Sequence, residues 1–232
     1  MLVANSAPAI AALQQRTRTI PIVFAQVVDP VSAGFVENLA RPGGNITGFV
    51  SLDYGFGAKW LELLKEIAPH VSRVGVLRDP TTSGAAGQLG AIQGAASLLR
   101  VELTTFDVRE PAVIERNMAL LGREPNGGLI VLANRTATVH LNPIIEFAAR
   151  YQLPAIYPYR YFAQAGGLIS YGADNLDLYR RAADYVDRIL KVKSPPTFPC
   201  RTQVNSSWRS TSRPRRPSGS TCRRRYSPAP TR

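Results

Sequence analysis

Short runs of apolar residues alternate along the chain with longer segments in which apolar residues recur at helical spacing. Most of the short runs are continuously apolar and rich in β-branched residues, as in strands that are covered on both faces. The predicted strands are residues 2–4, 20–25, 46–50, 73–77, 102–106, 128–132, 155–157 and 168–171.

The longer segments between these strands have the pattern of amphipathic helices. In one of them Trp60, Leu63, Leu64 and Ile67 fall on a single helical face. The predicted helices are residues 8–15, 32–39, 57–67, 85–99, 112–121, 139–151 and 176–192. Strands that alternate with helices of this length predict βαβ units, and therefore an α/β fold with mostly parallel sheets.

The positive charge of the chain is concentrated at its C-terminal end. The formal net charge is +12, and residues 201–232 supply +9 of it through nine arginines and no acidic residue. Residues 195–232 consist mainly of Arg, Ser, Pro and Thr, which bury too little apolar surface to offset the entropy of ordering, so we expect disorder over 194–232. We expect no nucleic-acid binding by the body of the chain; a basic nucleic-acid-binding arm is the alternative for the tail.

The sequence contains no motif typical of catalysis or of cofactor binding. There is no Gly-x-Ser-x-Gly elbow, no Walker loop and no His-Glu-x-x-His. The only histidines, His70 and His140, fall at predicted helix ends, and Cys200 and Cys222 in the tail are too sparse for a zinc site. We therefore expect a protein that is not an enzyme and needs neither a cofactor nor a metal.

Several phrases of the sequence resemble a single family and occur in that family's order. The main ones are residues 20–24 (IPIVF), 39–48 (LARPGGNITG), 59–65 (KWLELLK) and 166–172 (GGLISYG). They make residues 2 to about 193 similar to the ABC-transporter substrate-binding proteins related to aromatic amino-acid binders, which have the type I periplasmic-binding fold. The resemblance implies two doubly wound parallel-sheet lobes that hold a solute in the cleft between them.

The resemblance also implies a division of the chain into four segments. They are a partial first lobe at 1–49, a second lobe at 50–165, a return crossing with a helix packed on the first lobe at 166–193, and the tail at 194–232.

The chain departs from the family at both ends. Family members begin with a signal peptide, which is not visible here, and two further βα units, so we expect a truncated first lobe with exposed strand edges. The sequence after Ser194 lacks the α/β ending of the family, and we interpret it as the product of a frameshift. On this interpretation, a non-functional copy is an alternative to a working protein.

Residues that follow predicted strands are candidate ligand contacts, because ligands bind at the carboxyl ends of the strands in open α/β sheets. Ser6 and Ala7 could receive a ligand carboxylate at the positive end of the next helix, or Ser6 could simply cap it. Asp29 could pair with a ligand ammonium or cap a helix. Asn134, beyond a strand of the second lobe, could contact the solute or serve as a turn residue.

Aromatic and acidic residues later in the chain complete the candidate site. Tyr157, Tyr159 and Tyr161 would lie on one side of an extended segment, where they could form an aromatic wall for the solute or pack in the interior. Tyr171 and Asp174 lie at the predicted return crossing. Asp174 could bind an amino-acid ammonium, or it could cap the helix that follows.

Together, the residues and the resemblance predict capture of a small solute, an amino acid or another carboxylate, outside the cytoplasm. We expect a monomer that presents this solute to an ABC permease. The alternative is the ligand-sensing effector domain of a transcription regulator with the same bilobed fold. A signal peptide upstream would distinguish the first from the second, which needs a helix-turn-helix there.

Overall fold

The computed structural model of the chain describes residues 1–52, 54–82, 84–191, 199–202 and 206–210. The strands are β1 (Leu2–Ala4), β2 (Ile22–Val27), β3 (Ile46–Val50), β4 (Arg73–Arg78), β5 (Glu102–Asp107), β6 (Gly127–Val131), β7 (Ala155–Tyr157), β8 (Ile169–Ala173), β9 (Arg201–Thr202) and β10 (Ser206–Ser210). The helices are α1 (Ala7–Arg16), α2 (Gly55–Ile67), α3 (Gly84–Leu99), α4 (Pro111–Arg123), α5 (Arg135–Val139), α6 (Leu141–Arg150), α7 (Arg160–Gln164) and α8 (Asn175–Lys191). The predicted α/β fold is confirmed, and all eight predicted strands are present with small shifts at their ends.

The first sheet has the strand order β1-β2-β3-β9, and all of its strands are parallel. On the face towards α1, Ile10 packs with Ile22, Phe24 and Ile46 in one buried cluster. Among the described strands, β1 is hydrogen-bonded to β2 alone and so forms one edge of this sheet, and Val3 on it is 57% exposed. An edge strand with an exposed apolar side chain is prone to pair with other chains.

The second sheet has the strand order β10-β8-β7-β6-β4-β5, with every pair parallel except β10 and β8. The chain begins this sheet at β4, moves outward to β5, and then returns to β6, β7 and β8 on the other side of β4. This order is doubly wound, and right-handed crossovers place α3 and α4 on opposite faces. The carboxyl end of β4 is therefore the point at which the direction of winding reverses.

Helix α8 connects the two sheets. It follows β8 of the second sheet and packs against β2 and β3 of the first, where Tyr185 contacts Phe49 with ring centroids 4.7 Å apart. Val23 and Ala25 of β2 belong to the same buried cluster as Leu178 of α8 and the core of the second sheet. No helix in the described part of the chain is long and apolar enough to span a bilayer.

The predicted helix over 32–39 is wrong, because these residues form turns instead. Gly34, inside the predicted range, has a positive φ of 71°, which a continuing helix does not allow. The chain turns back at Gly34, so that Val36 packs into the cluster of the first sheet.

The predicted helix over 139–151 corresponds to α6, which covers residues 141–150, and a separate short helix, α5, precedes it. Asn134 caps α5, which ends at Val139, and the φ and ψ of His140, −94° and 22°, separate the two helices. Pro143 near the start of α6 has no backbone N–H, so it belongs in the first turn of a new helix rather than inside a continuous one. The short helix α7 was not predicted.

Part of the segment expected to be disordered forms strands. Strand β9 pairs with β3, and β10 pairs antiparallel with β8. Cys200, just before β9, is 6% exposed and joins the buried cluster of the first sheet, and burial raises the pKa of its thiol. Residues 192–198, 203–205 and 211–232, including Ser194 and Cys222, lie outside the described residues.

Candidate ligand-binding site

A cavity of about 810 Å³ lies between the carboxyl ends of strands from both sheets. The first sheet contributes residues that follow β1 and β2, and the second contributes residues that follow β4, β6 and β7. Its volume is in the upper part of the range of pockets for small organic ligands. The fold therefore places the site where strand order predicts it, with one wall from each sheet.

Two of the predicted contacts, Ser6 and Ala7, lie in the wall from the first sheet. Ser6 has extended backbone and accepts a hydrogen bond from the N–H of Ala9 at 3.4 Å, which makes it the N-cap of α1. Ser6 therefore has the capping role in the structure, and α1 directs its N-terminus towards the cavity. Gln26 of β2 lies in the same wall and accepts a hydrogen bond from the hydroxyl of Tyr179 at 3.1 Å.

Asn134 lies in the wall from the second sheet and is 8% exposed. Its Oδ1 accepts a hydrogen bond from the N–H of Ala137 at 2.6 Å, and its Nδ2 donates to the carbonyl of Leu132 at 2.9 Å. Both ends of the amide are therefore used to shape the turn and to cap α5. This is the turn role that the sequence offered as the alternative, at a position that also lines the cavity.

The three tyrosines do not form one aromatic wall, because the chain does not stay extended. Tyr157 is in β7, 1% exposed, and its ring stacks on Phe162 in the interior with centroids 5.1 Å apart. Helix α7 begins at Arg160, which brings the rings of Tyr159 and Tyr161 together at 5.3 Å in the cavity wall.

The two tyrosines of the cavity wall are neutral phenols. Burial and the neighbouring Tyr161 raise the pKa of Tyr159, and burial also raises that of Tyr161. The hydroxyls of Tyr161 and Thr138 are within hydrogen-bonding distance, at 2.9 Å. This wall therefore offers two stacked rings and a polar edge.

Asp29, Tyr171 and Asp174 do not line the cavity. The carboxylate of Asp29 accepts a hydrogen bond from the N–H of Ser32 at 3.0 Å and stabilises the turn after β2. The carboxylate of Asp174 accepts hydrogen bonds from the N–H groups of Leu176 and Asp177, at 2.9 and 3.3 Å, at the start of α8.

Tyr171 lies on the side of β8 that faces α2. Its ring centroid is 5.5 Å from that of Phe56, and its carbonyl accepts a hydrogen bond from the indole N–H of Trp60 at 2.7 Å. The structure thus gives Tyr171 a packing role, Asp29 a role in a turn and Asp174 a capping role.

The sequence analysis missed Asp79, which lies in the cavity wall at the carboxyl end of β4. Its carboxylate accepts hydrogen bonds from the hydroxyls of Thr81 and Thr136, each at 2.6 Å. Burial alone would raise the pKa of Asp79, but the hydrogen bonds from Thr136 and Thr81 hold it below the usual value. The sequence contains a pattern that could have identified Asp79, because Asp79-Pro80 follows β4 as Asp29-Pro30 follows β2.

Among the described residues, no group of three or more His, Cys, Asp or Glu side chains lies close enough to hold a metal ion. The cavity wall combines small aliphatic side chains with hydroxyl, amide and aromatic groups, and Asp79 and Arg135 are its charged side chains in the described part of the chain. Such a wall recognises a small polar molecule with an apolar part by hydrogen bonds and packing.

The two sheets and the cavity between them agree with the bilobed fold that the sequence resembles. The family model described as "ABC transporter substrate binding protein" matches residues 1–208, and the chain belongs to this family. The match extends past residue 193, where the resemblance in the sequence was expected to end.

Individual relatives agree with this assignment. A tyrosine-binding protein of Clostridioides difficile (strain R20291) is 27% identical over 203 residues, covering 87% of this chain. The chain spans 58% of the length of that relative.

Solved structures show the same architecture. A conserved domain protein of Vibrio cholerae O1 biovar eltor matches with a TM-score of 0.81 and 27% identity, over 90% of this chain and 70% of that one. An ABC domain from Streptococcus pneumonia in complex with L-Trp matches with a TM-score of 0.79 and 22% identity, over 89% and 69% of the two chains. At 22% identity, this second likeness shows the fold alone.

Proposed function

We propose that the protein is the solute-capturing component of an ABC uptake transporter and that the cavity between its sheets binds an amino acid. The observation that carries the proposal is the cavity itself, which takes one wall from each sheet at the carboxyl ends of their strands. A solute that touches both walls links the two halves of the molecule. Capture of this kind needs no chemical step and no cofactor.

Aromatic amino acids are the solutes that the wall of the cavity favours. The stacked rings of Tyr159 and Tyr161 offer an aromatic surface on which another ring can pack, which contributes about 0.5–1.5 kcal/mol beyond burial of area. The curated relative at 27% identity is a tyrosine-binding protein, which supports the same class.

The first-sheet wall supplies a place for the carboxylate of the solute. Ser6 and Ala7 stand at the N-terminus of α1, where the positive end of the helix dipole favours negative charge. On the opposite wall, Asn134 and Tyr159 come from the second sheet. A bound amino acid would therefore stabilise closure of the two halves, and we propose that the closed monomer, outside the cytoplasm, is the form that a membrane permease accepts.

Calorimetric titration of the full chain with a panel of solutes tests this proposal. The panel contains L-tyrosine, L-tryptophan, L-phenylalanine, L-lysine, L-glutamate and L-arabinose. We expect the aromatic amino acids to bind most tightly. A panel in which only arabinose binds, or none of the six, would contradict capture of an amino acid.

A variant in the cavity wall connects binding to this site. Tyr161→Leu removes one ring from the wall, and we expect about tenfold weaker binding of L-tyrosine, equivalent to about 1.4 kcal/mol. Tyr151→Leu is the matched control, because Tyr151 lies outside this cavity and contacts Glu115. If Tyr161→Leu and Tyr151→Leu bind L-tyrosine with equal affinity, the ring of the solute does not pack against Tyr161.

A further inference from the structure

One carboxylate in the cavity wall has no cation as its partner. Asp79 is 7% exposed, and within the part of the chain that the structure describes it forms no ion pair with a lysine, arginine or histidine. Its partners are neutral donors only: the N–H of Thr81 at 2.9 Å and the hydroxyls of Thr81 and Thr136. Arg109 attracts Asp79 only without direct contact, because it forms its ion pair with Asp107. An ammonium group in the cavity would therefore be a direct charged partner for Asp79.

The hydrogen bonds around Asp79 keep it ionised and leave part of it free. All three are donated to the carboxylate, an arrangement that favours the charged form. An ionised carboxylate has about four acceptor positions, so about one remains for a ligand in the cavity. The same hydrogen bonds fix the carboxylate from two sides, since Thr81 follows β4 and Thr136 lies in α5.

A purely local role does not account for this arrangement. The bonds from Thr81 to Oδ1 form a turn within the loop after β4, as the bond from Ser32 does for Asp29 after β2. The second oxygen of Asp79, however, accepts from Thr136, 57 residues away in sequence, and the side chain lines the cavity, which that of Asp29 does not. Asp79 also stands at the strand where the winding of the second sheet reverses, the preferred position for ligand contacts.

We propose that Asp79 binds the ammonium group of the solute and that Thr81 and Thr136 are positioning residues that hold its carboxylate for this contact. The assignment rests on the proposed function and deepens it, because it defines the solute as a primary amine instead of a sugar or a simple carboxylic acid. It also gives the solute a direction: the ammonium faces the second sheet, and the carboxylate faces the first.

Pairs of compounds that differ only in the amine test the assignment. L-tyrosine is compared with 3-(4-hydroxyphenyl)propionate, and L-tryptophan with indole-3-propionate, by titration of the full chain. A charged hydrogen bond predicts that the amine-containing member binds about 10- to 100-fold more tightly to the wild-type protein. In Asp79→Asn, which keeps the shape of the side chain, we expect this preference to fall to within about threefold.

Two further variants separate a charge contact from a general effect on the cavity. Asp187→Asn makes the same substitution outside the cavity, where Asp187 pairs with Lys191, and it should leave the preference for the amine unchanged. Thr136→Val removes a donor to Asp79 and should reduce the preference, whereas Thr136→Ser should restore it.

The outcomes distinguish this assignment from the proposed function. If the wild-type protein binds both members of a pair equally, or if folded Asp79→Asn keeps the preference, amino-acid capture stands and the role of Asp79 is wrong. If the wild-type protein binds none of the four compounds, both proposals are wrong for aromatic amino acids. If Asp79→Asn does not fold, the affinities of the wild-type protein for each pair of compounds and those of the Thr136 variants still test the role of Asp79.

Discussion

The amide of Asn134 holds together the turn between β6 and α5. Because it is 8% exposed and its two ends bond to Ala137 and Leu132, replacement with alanine removes a helix cap and leaves a buried carbonyl without its donor. We expect Asn134→Ala to lower the free energy of unfolding by about 1–2 kcal/mol, measured by urea denaturation.

Asn134→Ser is the matched control, because its neutral hydroxyl keeps a capping acceptor for the N–H of Ala137 and loses the amide that donates to Leu132. Its loss of stability should be the smaller of the two. If both variants unfold at the urea concentration of the wild type, the amide does not stabilise this turn, and a direct contact with solute becomes the better explanation of its place in the cavity wall.

At the level of single residues, the sequence shows which positions follow strands but not which side chains enter the cavity. Asp29 and Asp79 have the same local sequence signal, an aspartate followed by proline after a strand. Of the two, only Asp79 lines the cavity, and its carboxylate also accepts a hydrogen bond from Thr136 of α5. That contact depends on a residue 57 positions away, which local spacing cannot reveal.

Helix α3 and strand β8 contain glycines with opposite roles. Gly90 of α3 is exposed, and a Cβ added there would have no atom within 4 Å. Gly172 of β8 lies so close to the carbonyl oxygen of Pro158 that an added Cβ would overlap it. The first glycine only increases the entropy that the helix loses on folding, whereas the second permits close packing of backbone against backbone.

We therefore expect Gly90→Ala to raise the free energy of unfolding by about 0.5–1 kcal/mol and Gly172→Ala to lower it by about 1–3 kcal/mol. Urea denaturation of both variants beside the wild type measures the two shifts under the same conditions. Since the two substitutions add the same methyl group, each is the control for the other. Equal shifts, of either sign, would show that the approach of Pro158 to β8 does not limit the packing.

At the level of elements, hydrophobic pattern predicts the long helices and the buried strands better than it predicts breaks. Residues 32–39 have a helical pattern, but the positive φ of Gly34 turns the chain back towards the sheet. Residues 139–151 are also periodic and correspond to α6, but the pattern does not reveal that a separate helix, α5, precedes it from the cap formed by Asn134. The first difference follows from the backbone conformation at Gly34 and the second from a side-chain cap, and neither depends on the spacing of apolar residues.

At the level of the whole molecule, alternation of strands and helices predicts the parallel sheets, and the family resemblance predicts a cleft between two of them. Neither determines how α8 seats Tyr185 against Phe49, a contact that joins the last helix to the first sheet. The position of the cavity can therefore be predicted from the sequence, but the identity of the side chains that line it cannot.

The two walls of the cavity make a final prediction about shape. Ser6 and Asn134 lie on opposite walls of a cavity of about 810 Å³, in the upper range for small-molecule pockets, so a small amino acid contacts both only if the walls approach each other. We expect the radius of gyration, measured by small-angle X-ray scattering, to decrease when the full chain is saturated with the tightest-binding solute of the panel. The same concentration of a panel compound that does not bind should leave it unchanged. An unchanged radius at saturation would contradict closure, and it would mean that a transport partner must recognise the solute-bound protein by some feature other than the relative position of its two halves.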